Sequence, residues 1–311
     1  MLKFALKRIA MGLLLIFTVS VLVFLLVHLM PGDPVDILSG PRVPQSKKDE
    51  IRIKYGLDKS LAEQYGIWVG NILHGDFGAS IASKQNVGET LRQRIPLTLK
   101  ITGMALLVEL LLALSLGLIC ALKKDSVFDR IMMALSGILQ SIPGFWVAMA
   151  LVLLFSVTLK WLPLNGYERP ENFVLPIASI VIGGMTGLVR LTKSEVLEVC
   201  REKYVQTAYA KVLSHRAVMV KHVLRNSLIT IVVVTLMDLP WLISGSIIIE
   251  NIFMIPGMGN YLTKAIGQQD FPVVQACVLI IAVLTVVCNL LSDIVTAQLD
   301  PRIRQNIQEG A

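Results

Sequence analysis

Residues 101–122 read ITGMALLVELLLALSLGLICAL, a run with one carboxylate, Glu109, and no basic side chain. At about 1.5 Å per helical residue this run is about 33 Å long, enough to cross the hydrocarbon core of a bilayer. Five more stretches share its character: Ile9 to Met30, about Ile131 to Leu159, about Phe173 to Leu191, about Leu228 to Ile249, and about Pro272 to Thr296. Gly183, Gly184 and Gly187 dilute the fourth, and Pro176 sits near its start, which reads as an interior span where small residues let helices approach. Of the 311 residues 54% are hydrophobic and 16% charged, against about 25% charged in an average soluble domain. The predicted fold class is an all-α integral membrane protein with six transmembrane helices. A soluble enzyme, a disordered chain and a nucleic-acid-binding tail are excluded by the apolar content and by the lack of a long block of like charge.

The net charge of +7 is explained by where the basic residues sit. With the N-terminus inside, the inner segments hold three (Lys3, Lys7, Arg8), three (Lys123, Lys124, Arg130), eight (Arg190 to Arg225) and two (Arg302, Arg304). The two short outer loops hold three, and ten more lie in the long stretch between the first and second spans, Lys100 included, which crosses regardless of charge. Both termini are therefore expected in the cytoplasm. Arg92, Arg94 and Lys100 crowd the outer end of the second span and suggest an interfacial helix there. The first stretch is too long for the apolar core of a signal peptide and no small-residue cleavage site follows, so it reads as an anchor. Cys120, Cys200, Cys277 and Cys288 lie in or beside spans or in the inner loop, so no disulfide framework is expected.

The expected organisation is a tail and first helix (1–30), an extracytoplasmic segment (31–94), a five-helix core (95–304) with a cytoplasmic loop at 190–227, and a short tail (305–311). In the outer segment Ser60-Leu61-Ala62-Glu63 is a capping box, followed by Leu61, Tyr65, Trp68, Val69 and Ile72 on one helical face. This amphipathic helix reads as a lid on the outer ends of the spans or as a docking surface. Pro31-Gly32-Asp33-Pro34 and Gly75-Asp76-Phe77-Gly78 mark turns. In the inner loop Tyr204, Ala208, Lys211 and Val212, with Val205 beside them, form a short stripe that calls for a partner, either the membrane surface or another subunit.

No phosphate-binding glycine loop, metal-ligand spacing or serine-nucleophile motif is present, and Thr192-Lys193-Ser194 lacks the glycine that would cradle a phosphate. No catalytic or metal residue is assigned. Carboxylates inside spans are costly and are functional candidates by default. Glu109 and Asp238 qualify, either as a proton relay or as groups that line an aqueous path or bond a neighbouring helix; Asp293 lies near an inner end. Pro143-Gly144 and Pro240 interrupt spans, marking either the translocation path or packing kinks.

Several motifs resemble a known family: Leu29-Met30-Pro31-Gly32-Asp33-Pro34, Gly75-Asp76-Phe77-Gly78-Ala79-Ser80, Tyr204-Val205-Gln206-Thr207-Ala208-Tyr209-Ala210-Lys211, His222-Val223-Leu224-Arg225-Asn226, Ile249-Glu250-Asn251-Ile252-Phe253 with Pro256-Gly257-Met258-Gly259, Asp270-Phe271-Pro272-Val273-Val274-Gln275, and Leu299-Asp300-Pro301-Arg302-Ile303-Arg304. Together they resemble the permease subunit of the dipeptide, oligopeptide and nickel branch of bacterial ABC importers. The resemblance implies a type I importer fold in the bacterial inner membrane, a second homologous permease, two cytoplasmic ATPases that bind ATP and Mg, and an extracytoplasmic solute-binding protein. It also implies a coupling helix that contacts the ATPase through Tyr204, Thr207, Ala208, Ala210, Lys211, Val212, Leu213 and Ser214. Where the family has glycine after Ala-Lys, this chain has Val212, a β-branched residue that disfavours positive φ, so a longer helix or a different turn is expected. Glu109, Pro143, Asp238 and Pro240 are the pathway candidates. A proton-coupled secondary transporter using Glu109 and Asp238 is the alternative, although no repeated half is evident within six spans.

Overall fold

A computed structural model describes residues 2–29, 44–54, 58–211 and 214–299. Its helices, in chain order, are α1 (Leu2–Leu29), α2 (Gln45–Lys54), α3 (Leu61–Leu73), α4 (Val87–Leu122), α5 (Val127–Gln140), α6 (Gly144–Thr158), α7 (Glu171–Cys200), α8 (Lys203–Ala210), α9 (His215–Met237), α10 (Leu239–Ile252), α11 (Met258–Gly267) and α12 (Phe271–Leu299). No strand occurs among the described residues; one isolated bridge joins Ala79 to Asn86. Five helices, α1, α4, α7, α9 and α12, are long and apolar enough to cross a membrane; α5 and α6 pass the same test only as a pair, bent by 103° at the break between them, and make a sixth if the pair is one span.

Two expectations change. The interfacial helix imagined around Arg92 and Arg94 is instead the start of α4, a single 36-residue helix that runs straight through Pro96. Two of its three crowded cations lie on aromatic rings: Arg94 is 4.6 Å from the Tyr261 ring centre and Lys100 4.4 Å from that of Phe173. Cation–π contact of this kind helps to hold a charge at the edge of an apolar region. Secondly, the predicted fifth span, Leu228 to Ile249, is interrupted at Asp238, which separates α9 from α10. The backbone stays bonded there, since the Asp238 N–H donates to the Val234 carbonyl and the Leu242 N–H donates to the Asp238 carbonyl. Pro240 lies in the first turn of α10, where a missing N–H is tolerated.

Helix α7 is the centre of the bundle, packing on α4, α5, α6, α9 and α10. Its contact with α4 is set by two glycines. A Cβ on Gly117 of α4 would meet the Thr192 side chain of α7 at 2.5 Å and the Val189 carbonyl at 2.8 Å, while a Cβ on Gly184 of α7 would overlap the Glu109 carboxylate of α4. Eight residues separate Glu109 from Gly117 and eight separate Gly184 from Thr192, so the helices run parallel and in register. Of the three glycines that marked α7 as interior, only Gly184 makes such an approach; Gly183 and Gly187 face open space. At the end of the bundle that carries α8, Lys193 Nζ lies 2.6 Å from Asp129 Oδ1 and ties the start of α5 to α7.

Helix α1 stands at the edge, packed on α12 with its N-terminal part beside the C-terminal part of α12. A Cβ at Gly12 would meet Val286 Cγ1 at 2.6 Å, and Arg8 pairs with Asp293 at 3.1 Å. Leu13, Leu14, Phe17 and Leu22 remain exposed, as a lipid-facing surface requires. The capping box of α3 is formed, with Ser60 N and Oγ donating to Glu63 Oε2 at 3.0 and 2.8 Å. These bonds hold the Glu63 carboxyl below its ordinary range. Tyr65, Trp68, Val69 and Ile72 are half-buried as the stripe predicted, and Leu61 is exposed. Tyr65 bonds Ser20 at 2.7 Å and meets Phe24 edge-on, so α3 leans on the flank of α1.

The glycine contact between α4 and α7 predicts that Gly117→Val destabilises the bundle by about 1–3 kcal/mol through overpacking. The check is a lowered unfolding midpoint in detergent, with Gly183→Val, which enters open space, as the control; equal midpoints would contradict the close approach.

Candidate coupling and translocation sites

The inner-loop motif forms α8, eight residues that end at Ala210, with Lys211 at φ −80° and ψ 14° as the cap. The anticipated lengthening of this helix is not found up to Lys211, and Val212 and Leu213 lie outside the described residues. The predicted stripe divides. Val205 and Ala208 point inward and are buried against Ala121 of α4, Val196 of α7, and Val218, Met219 and Val223 of α9. Tyr204, Thr207, Ala210 and Lys211 are exposed, as are Lys203 and Gln206. Spacing explains the division, because Val205 and Ala208 are three apart on one face while Lys203, Thr207 and Ala210 follow the opposite one. Ser214 belongs to the next element: its side chain caps α9 by accepting from the Ala217 N–H at 3.3 Å. Tyr209 Oη and His215 Nδ1 are 2.9 Å apart with their rings stacked, so the end of α8 is tied to the start of α9.

The mid-bundle candidates occupy different environments. Glu109 is 4% exposed, and its Oε2 has no hydrogen-bond partner among the described residues. Asp238 is exposed at the α9–α10 break, near enough for its charge to act on Glu109. Pro143 is exposed at the α5–α6 bend, capping Gly144–Leu151 with its carbonyl, which accepts from the Trp146 N–H at 2.9 Å. Pro240 is half-buried. Glu109 and Asp238 are thus brought together, whereas Pro143 marks a separate bend.

At the end of the bundle opposite α8 lies a construction that sequence reasoning left as a motif without a role. Glu250, at the end of α10, is fully buried. Its carboxylate accepts from Thr98 Oγ1 of α4 at 2.6 Å and from the Asn260 N–H at 2.9 Å, while Thr98 Oγ1 accepts from the Met258 N–H at 2.9 Å. Side chains at Gly257 or Gly259 would overlap this carboxylate, so the Pro256-Gly257-Met258-Gly259 spacing is what lets the chain fold over Glu250. A buried carboxylate is tolerated here because donors surround it. Asp270 does the same for the outer segment: it accepts from Ser80 Oγ at 2.5 Å and from the Ile81 and Ala82 N–H groups at 3.0 and 3.2 Å. The turn before it is as the sequence indicated, with Gly75 at φ +82° and Gly78 at φ +78°. The glycine spacing was a readable signal for the first cluster; nothing local marks Thr98 or Ser80 as the partners.

Asp270→Ala should release residues 80–82 while leaving the spans intact, since it removes the acceptor of two backbone amides. Hydrogen exchange at Ile81 and Ala82 is expected to speed up by about tenfold, the equivalent of a net hydrogen bond of about 1.4 kcal/mol; unchanged protection at both amides would refute the latch.

Two family models cover the chain: the binding-protein-dependent transport system inner membrane component over residues 113–305, and the N-terminal part of such a membrane component over residues 1–102. A Brucella abortus protein bearing the name of a peptide transport system permease is 36% identical over 307 residues, 96% of this chain and 98% of its own length. The oligopeptide transport system permease protein AppB of Bacillus subtilis is 33% identical over 314 residues, covering 97% and 99%, and the glutathione transport system permease protein GsiC of Escherichia coli 34% over 306 residues, covering 98% and 99%. Among solved structures, a chain of the MetNI methionine ABC transporter in inward-facing conformations aligns with TM-score 0.56 at 16% identity, over 68% of this chain and 96% of that one, which supports the type I permease fold. The chain belongs to the binding-protein-dependent transport system inner membrane component family, multi-pass permeases of the bacterial plasma membrane that leave ATP hydrolysis to separate subunits.

Proposed function

We propose that this chain is one of two homologous permease halves of an ATP-driven importer of peptides, passing substrate from an extracytoplasmic binding protein by alternating access at the interface between the halves. The observation that carries the reading is α8. Its buried face, Val205 and Ala208, is keyed into the junction of α4, α7 and α9, and its exposed face, Lys203, Thr207 and Ala210, is left for a partner. A push on such a helix moves three long helices together, which is what coupling to an ATPase needs. The ATPases supply the ATP and Mg sites. On this reading α8 and the paired ends of α1 and α12 are cytoplasmic, and the Glu250 and Asp270 clusters are turned toward the binding protein. The names of the relatives favour peptides, glutathione included, over nickel. A proton-coupled carrier would have no use for α8.

The test is uptake into proteoliposomes holding both permeases, both ATPases and the binding protein. Labelled dipeptide is expected to accumulate with ATP and to fall more than about tenfold with an ATPase-dead partner or vanadate; accumulation driven by a proton gradient alone would overturn the reading, and accumulation of nickel in place of dipeptide would change the cargo. Contact is tested separately in a chain whose four cysteines are replaced. A cysteine at Thr207 or Ala210 is expected to crosslink to the ATPase and one at Val205 is not; the reverse pattern would remove α8 from the interface.

A further inference from the structure

The Glu109 carboxylate is buried in the middle of a long apolar helix, yet Oε2 finds no donor among the described residues. A buried polar atom normally has a partner, and an unpaired carboxylate in a bilayer is costly enough that such groups are kept for function. The surroundings are shaped to keep it there. Gly184 lies against the carboxylate, and the next residue type up, alanine, would collide with it. Gly183 and Gly187 of the same helix have nothing within 4 Å of where a Cβ would stand, so space is open beside this niche. The charged neighbour that acts on Glu109 is another acid, Asp238, exposed at the interruption between α9 and α10. Two carboxylates near mid-bundle, one lacking a donor and one open to its surroundings, lack a cation.

We infer that Glu109 and Asp238 form a station for the α-ammonium group of a peptide in transit, a proposal that rests on the permease reading. An ammonium group brings three N–H donors and a positive charge, enough to give Oε2 its missing partner and to offset one of the two negative charges. Nickel fits less well, because two carboxylates without imidazole suit harder cations. Helix α7, which touches α4 as well as α9 and α10, links the station to α8 through the shared core around Val196 and Val205. Movement of α4 or of the α9–α10 break on binding an ammonium group would therefore be felt at the coupling end.

The experiment uses the complete reconstituted transporter with two probes, trialanine and its des-amino analogue propionyl-dialanine, each supplied at about ten times its measured Kd for the binding protein. The unaltered transporter is expected to take up trialanine about tenfold faster, the discrimination a site built for an N–H donor commonly exceeds. Asp238→Asn, at an exposed position, and Glu109→Gln are expected to bring the ratio near one, and Glu109→Asp, which keeps the charge, to preserve the preference. An unaltered transporter with no preference, variants that slow both probes equally, or variants that keep the ratio would each overturn the station. Uptake by the unaltered transporter that ignores ATP would instead overturn the permease reading, so the two failures are separable.

Discussion

The bundle depends on how closely α7 can lie against α4. With a side chain at position 117 the helices would be forced apart, because Thr192 and the Val189 carbonyl fill the space, and with one at position 184 the Glu109 carboxylate would have to move away. Between helices in lipid no hydrophobic force pulls the pair together, so packing and small residues have to do so. Everything else is arranged around this pair. The helices of the α5–α6 bend, those of the α9–α10 break and the candidate coupling helix α8 all touch α7.

A second constraint follows from the lack of water in hydrocarbon. Backbone that leaves the helix at membrane depth must be bonded within the protein. The two interruptions meet this differently. At Asp238 the helical bonds continue on both sides, so the break costs little and yields an exposed carboxylate. At the α5–α6 bend the chain leaves the helix over Ser141 to Pro143, where the Ser141 hydroxyl bonds back to the Gly137 carbonyl at 3.1 Å and the Pro143 carbonyl starts the next helix. Outside the spans, Glu250 and Asp270 supply acceptors that let two irregular segments fold tightly against the bundle.

Long apolar runs made the crossings legible in the sequence, since length and hydropathy alone decide them; the break at Asp238 and the π-helical turns at Val152–Thr158 in α6 and Met219–Leu224 in α9 were not legible, because they leave no mark in hydropathy. Capping residues made the start of α3 readable to the residue. The 36-residue length of α4 was hidden by Arg92, Arg94 and Lys100, which argue against a span until Tyr261 and Phe173, distant in sequence, are seen beneath two of them. In the inner loop the helix was readable and its orientation was not. Tyr204 and Lys211 looked like part of the contact stripe, but the face that is buried within this chain is that of Val205 and Ala208, a choice made by the apolar ends of α4, α7 and α9.

The valine at position 212 acquires a different weight once α8 is seen with its neighbours. A glycine after the helix would fix the exit direction through its backbone alone. Here the helix has closed at Ala210, and Lys211 caps it without positive φ. The stacked Tyr209–His215 pair ties the two flanking helices together by side chains, while Ser214 sets the start of α9. Contacts on either side of residues 212–213 therefore bear on the placement of α8 and α9. The Val205 and Ala208 core and this ring pair are the two contacts through which a displacement of α8 would reach α9.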